Sequence, residues 1–299
     1  MSHSERQTPT KVLVLGASGL LGHAVLGELA RASSLQAVGT IRTEAQRSLF
    51  PESLARRLVV MPNVESDEML ARLFAAERPQ VVVNCVALGK EELAQAVPLR
   101  VFAMFSALPR RLSQLCARAG ARFIQISSDG VFSGTRGGYT EEAIPDATDL
   151  YGVAKYLGEV DAPHAVTLRT SMIGHELAGK TGLLEWFLAQ EGQCRCYTRA
   201  IFSGLPAVVI GELIRDQIIP RPDMSGIYHL AADPISKYDL LGLVAAAYGK
   251  TITILPDDKI VIDRSLSADK FRRITGYKPP SWKQLIQTMY TKNRGDADV

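Results

Sequence analysis

The chain has 299 residues, of which 46% are hydrophobic, and this is enough to bury the core of one large domain or of two lobes. Its formal charge of +3, from 34 basic and 31 acidic residues without a basic block, argues against a nucleic-acid surface. No stretch approaches the roughly 20 apolar residues that a membrane span requires. We therefore expect neither nucleic acid nor membrane as a partner.

The cysteines and the first ten residues indicate in which cellular compartment we expect the protein. Cys85, Cys116, Cys194 and Cys196 are too few and too scattered for a disulfide scaffold. Residues 1–10 are polar, and we predict a disordered tail without a signal peptide. These features together favour a cytoplasmic location. Cys194 and Cys196 lie two residues apart, but no second pair of cysteines or histidines stands nearby, so we predict no metal site.

A short apolar strand at residues 11–15 runs directly into a glycine-rich turn. Gly16, Gly19 and Gly22 have the spacing G-x-x-G-x-x-G, and apolar residues at helical spacing follow through Leu29. Such a turn brings the backbone close to a pyrophosphate and directs the N–H groups of the helix towards it. Because the turn lies between a strand and a helix, it favours dinucleotide binding over an ordinary strand–turn–helix connection.

The second predicted strand, at residues 35–41, ends at Arg42. Proteins that bind NAD usually place a carboxylate at this point for the ribose hydroxyls, whereas an arginine accommodates the 2′-phosphate of NADP. Glu44 comes slightly late and is placed to begin the next helix. We predict NADP(H) in preference to NAD(H), and the alternative is that Arg42 is only a solvated strand end.

Strand and helix patterns alternate through the first 160 residues, which is typical of an α/β, doubly wound parallel sheet of the Rossmann type. The remaining elements predicted for this sheet are strands at 58–61, 80–87, 123–126, 163–168 and 226–231 and helices at 66–77 and 99–119. A helix at 207–219 precedes the strand at 226–231. Less regular patterns predict a smaller C-terminal substrate lobe, with helices at 182–190, 236–248, 267–275 and 281–290 and strands at 251–255 and 260–263. We assign 11–171 with 205–232 to the cofactor-binding lobe and 172–204 with 233–292 to the substrate lobe.

Two groups of polar residues follow the fifth strand. The strand ends at Ser127 and Ser128, and Tyr151 and Lys155 lie four residues apart, so their side chains leave one face of a helix. An ammonium close to a phenol lowers the pKa of the phenol from its usual value near 10, which suits a general acid. Ser128 is placed to hold the substrate oxygen. A glycine turn, a strand ending in serines and a Tyr–Lys pair, in this order, indicate a catalytic site.

These motifs make the chain resemble the extended short-chain dehydrogenase/reductases, and most of all the branch typified by dTDP-4-dehydrorhamnose reductase. The resemblance covers nearly the whole chain and rests on residues 16–22, 126–134 and 151–159. It implies that Ser128, Tyr151 and Lys155 are catalytic and that hydride passes from NAD(P)H to a keto-sugar nucleotide. Tyr151 would protonate the new alkoxide, and Lys155 would bind the nicotinamide ribose and lower the pKa of Tyr151.

The expected cofactor-binding residues belong to the glycine turn, the strand ends and the Tyr–Lys helix: Gly16, Ser18, Gly19, Leu20, Leu21, Gly22, Arg42, Asn63, Val64, Cys85, Val86, Ala87, Tyr151 and Lys155. Substrate contacts are expected from Ser128, Asp129 and Arg264. Arg264 would bind a phosphate of the sugar nucleotide, and the alternative is that it forms a structural ion pair. We also expect the carboxylate of Asp129 to orient its turn by accepting hydrogen bonds from backbone N–H groups, rather than to act as a general acid or base.

Two departures from the resemblance concern the site. Residues 128–130 read Ser-Asp-Gly where the family commonly has Thr-Asp-Tyr, so the aromatic residue that contacts the sugar is missing. Residues 101–106 lack the asparagine that belongs to the proton relay of many relatives. Neither change removes the Tyr–Lys pair.

We therefore predict an NADP-preferring reductase of a nucleotide-activated keto-deoxy-sugar, which acts in the synthesis of surface-polysaccharide precursors. One alternative is a nucleotide-sugar epimerase with the same fold. A second is a non-catalytic NADP-binding regulatory subunit, as in the beta subunit of methionine adenosyltransferase. The sequence leaves open which sugar nucleotide reacts and whether the chain forms a homodimer.

Overall fold

A parallel sheet of seven strands forms the centre of the molecule, which a computed structural model describes from residue 8 to residue 295. Its strands are β1 (Thr10–Leu15), β2 (Leu35–Ile41), β3 (Leu58–Val60), β4 (Val81–Asn84), β5 (Arg122–Ile126), β6 (Ala165–Thr170) and β11 (Gly226–Leu230). Their spatial order is β11-β6-β5-β4-β1-β2-β3, and all neighbouring pairs are parallel. The order reverses between β1 and β4, and doubly wound sheets bind their ligands at this kind of crevice. The predicted fold class is confirmed.

Helices cover both faces of this sheet. The α-helices of the described residues are α1 (Leu20–Ala30), α2 (Glu52–Ala55), α3 (Asp67–Glu77), α4 (Lys90–Gln95), α5 (Pro98–Phe102), α6 (Leu108–Ala119), α7 (Leu150–Leu157), α8 (Leu183–Leu188), α9 (Ala207–Leu213), α10 (Lys237–Tyr248), α11 (Asp269–Thr275) and α12 (Trp282–Gly295). None of the helices between residues 8 and 295 has the length and apolar character that crossing a membrane requires.

Apolar side chains of the central strands alternate between two cores, because successive side chains of a strand point to opposite faces. In β1, Val12 and Val14 pack into one core and Leu13 and Leu15 into the other, and none of the four is more than 1% exposed. Helices α1, α9, α10 and α12 contribute to the first core, and α3, α5 and α6 contribute to the second. Burial on both faces explains why these strands are continuous apolar runs.

The helix predicted at 99–119 is present, but it is not uniform. Helix α5 continues into a π-helical segment, Ala103–Ala107, and this segment leads into α6. Pro109 has no N–H to donate to the carbonyl of Phe105, so the regular ladder is interrupted at this point. Gly158 packs directly on the same carbonyl, where a Cβ would overlap the oxygen. The segment thereby places Phe105 beside the cavity described below.

Short strands make up three smaller sheets. These strands are β7 (Met172–Ile173), β8 (Gln193–Tyr197), β9 (Ala200–Phe202), β10 (Leu205–Pro206), β12 (Ile235–Ser236), β13 (Thr253–Asp257) and β14 (Ile262–Asp263). Strand β7 pairs with β10, β8 pairs with β13, and β9 lies between β12 and β14. The strands predicted at 251–255 and 260–263 correspond to β13 and β14. The assignment of two lobes stays a prediction.

Several predicted boundaries differ from the observed ones. The strand predicted at 80–87 ends at Asn84, and the N–H of Cys85 makes one further hydrogen bond, of 3.0 Å, to the carbonyl of Leu15. Helix α4 was not predicted. Most of the predicted tail at 1–10 lies outside the described residues, and Thr10 is the first residue of β1. Within the described chain, no group of three or more histidine, cysteine, aspartate or glutamate residues is arranged to hold a metal ion.

Candidate active site

The carboxyl ends of the central strands open on a cavity of about 460 Å³. All of the predicted cofactor-binding residues except Gly22 line this cavity: Gly16, Ser18, Gly19, Leu20, Leu21, Arg42, Asn63, Val64, Cys85, Val86, Ala87, Tyr151 and Lys155. The cavity lies at the switch point between β1 and β4. The structure thus brings residues from five separate predicted segments to one place.

The three glycines of the first turn have different reasons to be glycine. Gly16 has a φ of +77°, and a Cβ there would lie 3.0 Å from the backbone of Val86. A Cβ at Gly22 would overlap the carbonyl group of Gly16. At Gly19, by contrast, the nearest atom to an added Cβ is the Gly16 oxygen, at an ordinary contact distance of 3.5 Å. The fold itself therefore requires Gly16 and Gly22, whereas Gly19 leaves free space on the wall of the cavity.

Helix α1 begins beside this space. Gly19 is its N-cap residue, no side chain caps the N-terminus, and Leu20 and Leu21 line the cavity. Backbone N–H groups at an uncapped helix N-terminus are well suited to bind an anion. The free volume at Gly19 and these donors together fit the pyrophosphate of a dinucleotide.

The end of β2 carries one charged side chain into the cavity wall. The side chain of Arg42 is 60% exposed, and its Nη2 lies 3.7 Å from Oε2 of Glu92. Glu44 instead begins a 3₁₀ helix, Glu44–Leu49, and its carboxylate accepts hydrogen bonds from the guanidinium of Arg47. The carboxylate at this strand end is therefore engaged away from the cavity, and Arg42 is available to a bound phosphate.

Helix α7 holds the Tyr–Lys pair. Asp149 caps the helix by accepting a hydrogen bond of 2.9 Å from the N–H of Gly152. Lys155 is buried, and its Nζ donates a hydrogen bond of 2.6 Å to the carbonyl of Ile126 at the end of β5. Burial lowers the pKa of Lys155 to about 8, and the negative charge of Glu159 opposes this shift. Lys155 consequently remains mainly protonated at neutral pH.

The pKa of Tyr151 differs from the expectation. Burial raises this pKa above its usual value, and the charges of Asp129 and Asp149 raise it further, while interaction with the hydroxyl of Ser128 lowers it. The prediction that Lys155 lowers the pKa of Tyr151 is wrong for the protein without ligands, because desolvation of the phenolate dominates. The phenol is therefore fully protonated at neutral pH, which is the form that a general acid needs.

Two glycines allow the turn after β5 to lie against α7. A Cβ at Gly152 would overlap the carbonyl oxygen of Gly130 and lie 2.5 Å from Cβ of Ala147. A Cβ at Gly130 would lie 3.1 Å from both Oγ of Ser128 and Cε1 of Tyr151. This close packing brings Ser128 next to Tyr151, and it leaves little room for a side chain at position 130, where the family commonly has an aromatic residue.

Ser128, Asp129 and Arg264 do not line the cavity but form a polar cluster next to Tyr151. Oγ of Ser128 donates a hydrogen bond of 3.2 Å to Oδ1 of Asp129, and Nη2 of Arg264 lies 3.6 Å from Oδ2 of Asp149. The N–H of Gly130 donates to Oγ of Ser128 at 3.0 Å. The prediction that Asp129 orients this turn is therefore wrong, since the hydroxyl of Ser128 fills that role.

A buried ion pair below the cavity was not anticipated from the sequence. The guanidinium of Arg169 donates two hydrogen bonds of 2.7 Å to the carboxylate of Glu159, and Oγ of Ser127 donates a third, also of 2.7 Å. The side chains of Arg169 and Glu159 are only 2% and 5% exposed. In the sequence, only the position of Glu159, four residues after Lys155, could have indicated that this carboxylate lies close to the site.

Further residues of the cavity wall were also missed. They are Thr40, Ile41, Gln46, Met61, Pro62, Glu65, Asn84, Gly89, Arg100, Met104, Phe105, Ile126, Ser127 and Met172. Many of them end a parallel strand or directly follow one, so the strand ends were a usable signal. Arg100 and Phe105 belong to the interrupted helix, and only packing of that helix brings them to the cavity.

The fold and the cavity define a Rossmann-type α/β protein with a Tyr–Lys pair at the sheet's switch point. The chain belongs to the RmlD substrate-binding domain family, whose family model matches residues 10–294. Solved structures share the fold of this chain. The chain superposes on dTDP-4-dehydrorhamnose reductase from Bacillus anthracis, solved in complex with NADP, with a TM-score of 0.78 and 17% identity over 95% of this chain and 100% of that one.

Two curated proteins are similar to this chain over about half of its length. Methionine adenosyltransferase 2 subunit beta from Rattus norvegicus is 35% identical over 149 residues, which are 50% of this chain and 41% of that protein. The dTDP-4-dehydrorhamnose reductase of Streptomyces griseus is 32% identical over 149 residues, which are 49% of this chain and 43% of that protein. The chain therefore spans less than half the length of these relatives.

Proposed function

We propose that this chain is an NADP-preferring reductase of a nucleotide-activated keto-deoxy-sugar, acting in the synthesis of surface-polysaccharide precursors. The observation that carries the proposal is the position of Tyr151 and Lys155 on the wall of the cavity that also contains the glycine turn. This arrangement puts a proton donor and a cation beside a space that suits a dinucleotide. The resemblance to dTDP-4-dehydrorhamnose reductase in sequence and fold supports it.

The cofactor is held, in this proposal, by the residues that line the cavity. Gly19 and the first N–H groups of α1 bind the pyrophosphate, and Arg42 binds the 2′-phosphate. Asn63 and Val64 border the adenine, and residues 85–87 lie on the side of the nicotinamide ribose. NADPH, when bound, supplies the hydride. NAD(H) is the alternative cofactor, and the exposed guanidinium of Arg42 favours NADP(H).

The protein's own residues handle the substrate oxygen and its proton. Ser128 donates a hydrogen bond to the carbonyl oxygen, and Tyr151 transfers its phenolic proton to the alkoxide that forms. Lys155 stays cationic because its pKa is lowered only to about 8, and it lies on the same helix face as Tyr151. In this proposal the cationic Lys155 binds the nicotinamide ribose of the cofactor.

The nucleotide part of the substrate is assigned to the cluster beside Tyr151. Nε of Arg264 is buried and has no hydrogen-bond partner among the described residues, and its ion pair with Asp149 is long at 3.6 Å. An arginine in this condition is well suited to bind a phosphate oxygen. We therefore propose that Arg264 binds the diphosphate of the sugar nucleotide, with Asp129 beside the sugar.

A second candidate is a non-catalytic NADP-binding regulatory subunit. Similarity to methionine adenosyltransferase 2 subunit beta is the observation that favours it. The Tyr–Lys pair on the cavity wall argues for catalysis, because a binding module needs no proton donor beside the cofactor space. An epimerase of the same fold is a third candidate, and it would keep its nicotinamide cofactor tightly bound.

One experiment separates the reductase from the regulatory subunit. The purified protein is incubated with NADPH and a panel of 4-keto-6-deoxy nucleotide sugars, and NADPH absorbance is followed. We expect steady oxidation of NADPH with at least one member of the panel and formation of the reduced sugar nucleotide. No oxidation with any member, together with a stoichiometric protein partner in pull-downs, would establish the regulatory subunit instead.

A further inference from the structure

Two arginines from different elements meet at one edge of the cavity. Arg42 directly follows β2, Arg100 belongs to α5, and both line the cavity wall. The carboxylate of Glu92, on α4, contacts both of them. Its Oε2 lies 3.7 Å from Nη2 of Arg42, and its Oε1 lies 3.8 Å from Nη2 of Arg100. Two guanidinium groups that converge on one anion are an arrangement that suits the binding of a phosphate.

Arg100 is held at this edge by its other contacts. Its Nη1 forms a close ion pair with Oε2 of Glu65, and Val101, the next residue of α5, is buried in the second core. Glu65 lines the cavity beside Asn63 and Val64, which border the proposed adenine site. The 2′-phosphate of NADP(H) belongs to the ribose that carries the adenine. Arg100 therefore presents Nη2 at the end of the cavity where this phosphate would lie.

The contacts of Glu92 with the two arginines are weak enough for a ligand to replace. Both distances are longer than a hydrogen bond, so these contacts are ion pairs only. The side chain of Glu92 is 38% exposed, and water screens such pairs and gives the carboxylate room to turn away. The guanidinium of Arg42 makes no hydrogen bond to any residue that the structure describes, so its donors are open to a phosphate oxygen.

We propose that Arg42 and Arg100 together bind the 2′-phosphate of NADP(H), and that Glu92 occupies this phosphate site in the protein without cofactor. This inference rests on the cofactor assignment of the proposed function. The phosphate displaces the carboxylate from both guanidinium groups, because two anions repel each other at such short distances. NAD(H) has no phosphate at this position and leaves Glu92 in place. Glu92 therefore opposes the binding of NADP(H) alone, and the cofactor preference is set by the two arginines against this one carboxylate.

The test measures the ratio of the dissociation constants of NADH and NADPH by calorimetric titration, which requires neither substrate nor turnover. Glu92→Gln should raise this ratio by about threefold or more, because NADPH no longer has to displace a charge. Arg100→Gln should lower the ratio by about tenfold or more, the loss expected for one charge-assisted contact with phosphate. Arg100→Lys keeps the charge and should retain part of the preference.

Glu91→Gln is the matched control. It removes the same charge from the neighbouring position of α4, where the exposed Glu91 has no ion pair or hydrogen bond within the described part of the chain. Its ratio should stay within about twofold of wild type. Thermal unfolding of every variant checks that the fold is retained, and Glu92→Gln, which loses only partly exposed ion pairs, should unfold at the wild-type temperature.

Three results would overturn this phosphate site while NADP(H) binding itself stands. They are an unchanged or lower ratio in Glu92→Gln, an equal rise in Glu91→Gln, and an unchanged ratio in Arg100→Gln. A wild-type protein that binds NADPH but oxidises it with no keto-sugar nucleotide would overturn the proposed reductase and leave the phosphate site intact. A wild-type protein that does not bind NADPH would overturn both.

Discussion

At the scale of single residues, the protonation of Tyr151 depends on burial more than on its cationic neighbour. Its pKa is raised because burial removes water from the phenolate, although interaction with the hydroxyl of Ser128 opposes this shift. Burial also lowers the pKa of Lys155, to about 8. Both groups therefore rest in their protonated forms at neutral pH, and this is the form in which Tyr151 would act as the general acid of the proposed reduction.

The replacement Tyr151→Phe removes the proton donor and keeps the ring. We expect kcat for keto-sugar reduction to fall by about 10²- to 10⁴-fold, while the dissociation constant for NADPH changes little. Steady-state kinetics and a fluorescence titration with NADPH measure the two quantities. Equal losses of turnover and of cofactor affinity would contradict the assigned role, because they would indicate that the phenol serves mainly to bind the cofactor.

Arg42 is the residue at which cofactor choice is tested. The replacement Arg42→Ala should weaken NADPH binding by about 10- to 100-fold, the loss expected for one charge-assisted contact with phosphate, and should leave NADH binding unchanged. Calorimetric titration of both cofactors measures this difference. Arg42→Lys is the control that keeps the charge, and it should retain part of the preference. If both cofactors bind more weakly to the same extent, the 2′-phosphate is not held by Arg42.

At the scale of elements, the first turn and helix α1 combine a folding requirement with a binding requirement. Gly22 lies on α1 and packs on the carbonyl of Gly16, so it sets how closely the helix approaches the strand. Gly19 precedes the helix and has free space around it. The sequence motif is the same at both positions, and only the surroundings tell the two roles apart.

The variants Gly22→Ala and Gly19→Ala should separate these roles. We expect Gly22→Ala to lower the free energy of unfolding by about 1–3 kcal/mol, because an added methyl group overlaps backbone atoms. Gly19→Ala should leave stability within about 0.5 kcal/mol of wild type and weaken NADPH binding at least tenfold, since its methyl group would enter the pyrophosphate space. Urea unfolding and cofactor titration measure the two effects. A large loss of stability in Gly19→Ala would show that no such space exists.

At the scale of the whole molecule, a buried histidine on the edge strand of the sheet links stability to pH. His229 lies on β11 and is fully buried, with Nδ1 at 3.1 Å from the carbonyl of Tyr139 and Nε2 at 3.4 Å from Nη1 of Arg169. Burial, with the charge of Arg169, lowers its pKa to about 3. The ring of His229 is therefore neutral in the folded protein, where it contacts Arg169 on the neighbouring strand β6.

Stability should fall as the pH decreases from 6.5 towards 3, because the unfolded chain protonates His229 in this range and the folded chain does not. Urea unfolding at pH 7 and at pH 5 measures the change. Burial raises the pKa of Asp129 to about 6, which acts in the opposite direction, so the comparison with His229→Gln isolates the histidine. We expect the variant to be less stable at pH 7 and to lose less stability at pH 5 than wild type does. An identical pH dependence in the two proteins would exclude this linkage.

The sequence by itself determined the features that depend on local order. The alternation of strands and helices identified the doubly wound sheet, and the spacing of Gly16, Gly19 and Gly22 identified the turn that precedes α1. The separation of Tyr151 and Lys155 identified two side chains that share a helix face. Such features are predictable because hydrophobic period, glycine spacing and helical geometry depend on residues near one another in the chain.

Only the tertiary structure decided the properties that depend on what packs against each group. It placed Phe105 against both Tyr151 and Lys155, and it made Ser128, rather than Asp129, the acceptor for the turn after β5. It also reversed the expected pKa shift of Tyr151. Desolvation and charge act through space, and the groups responsible come from distant parts of the chain, so no local pattern contains this information.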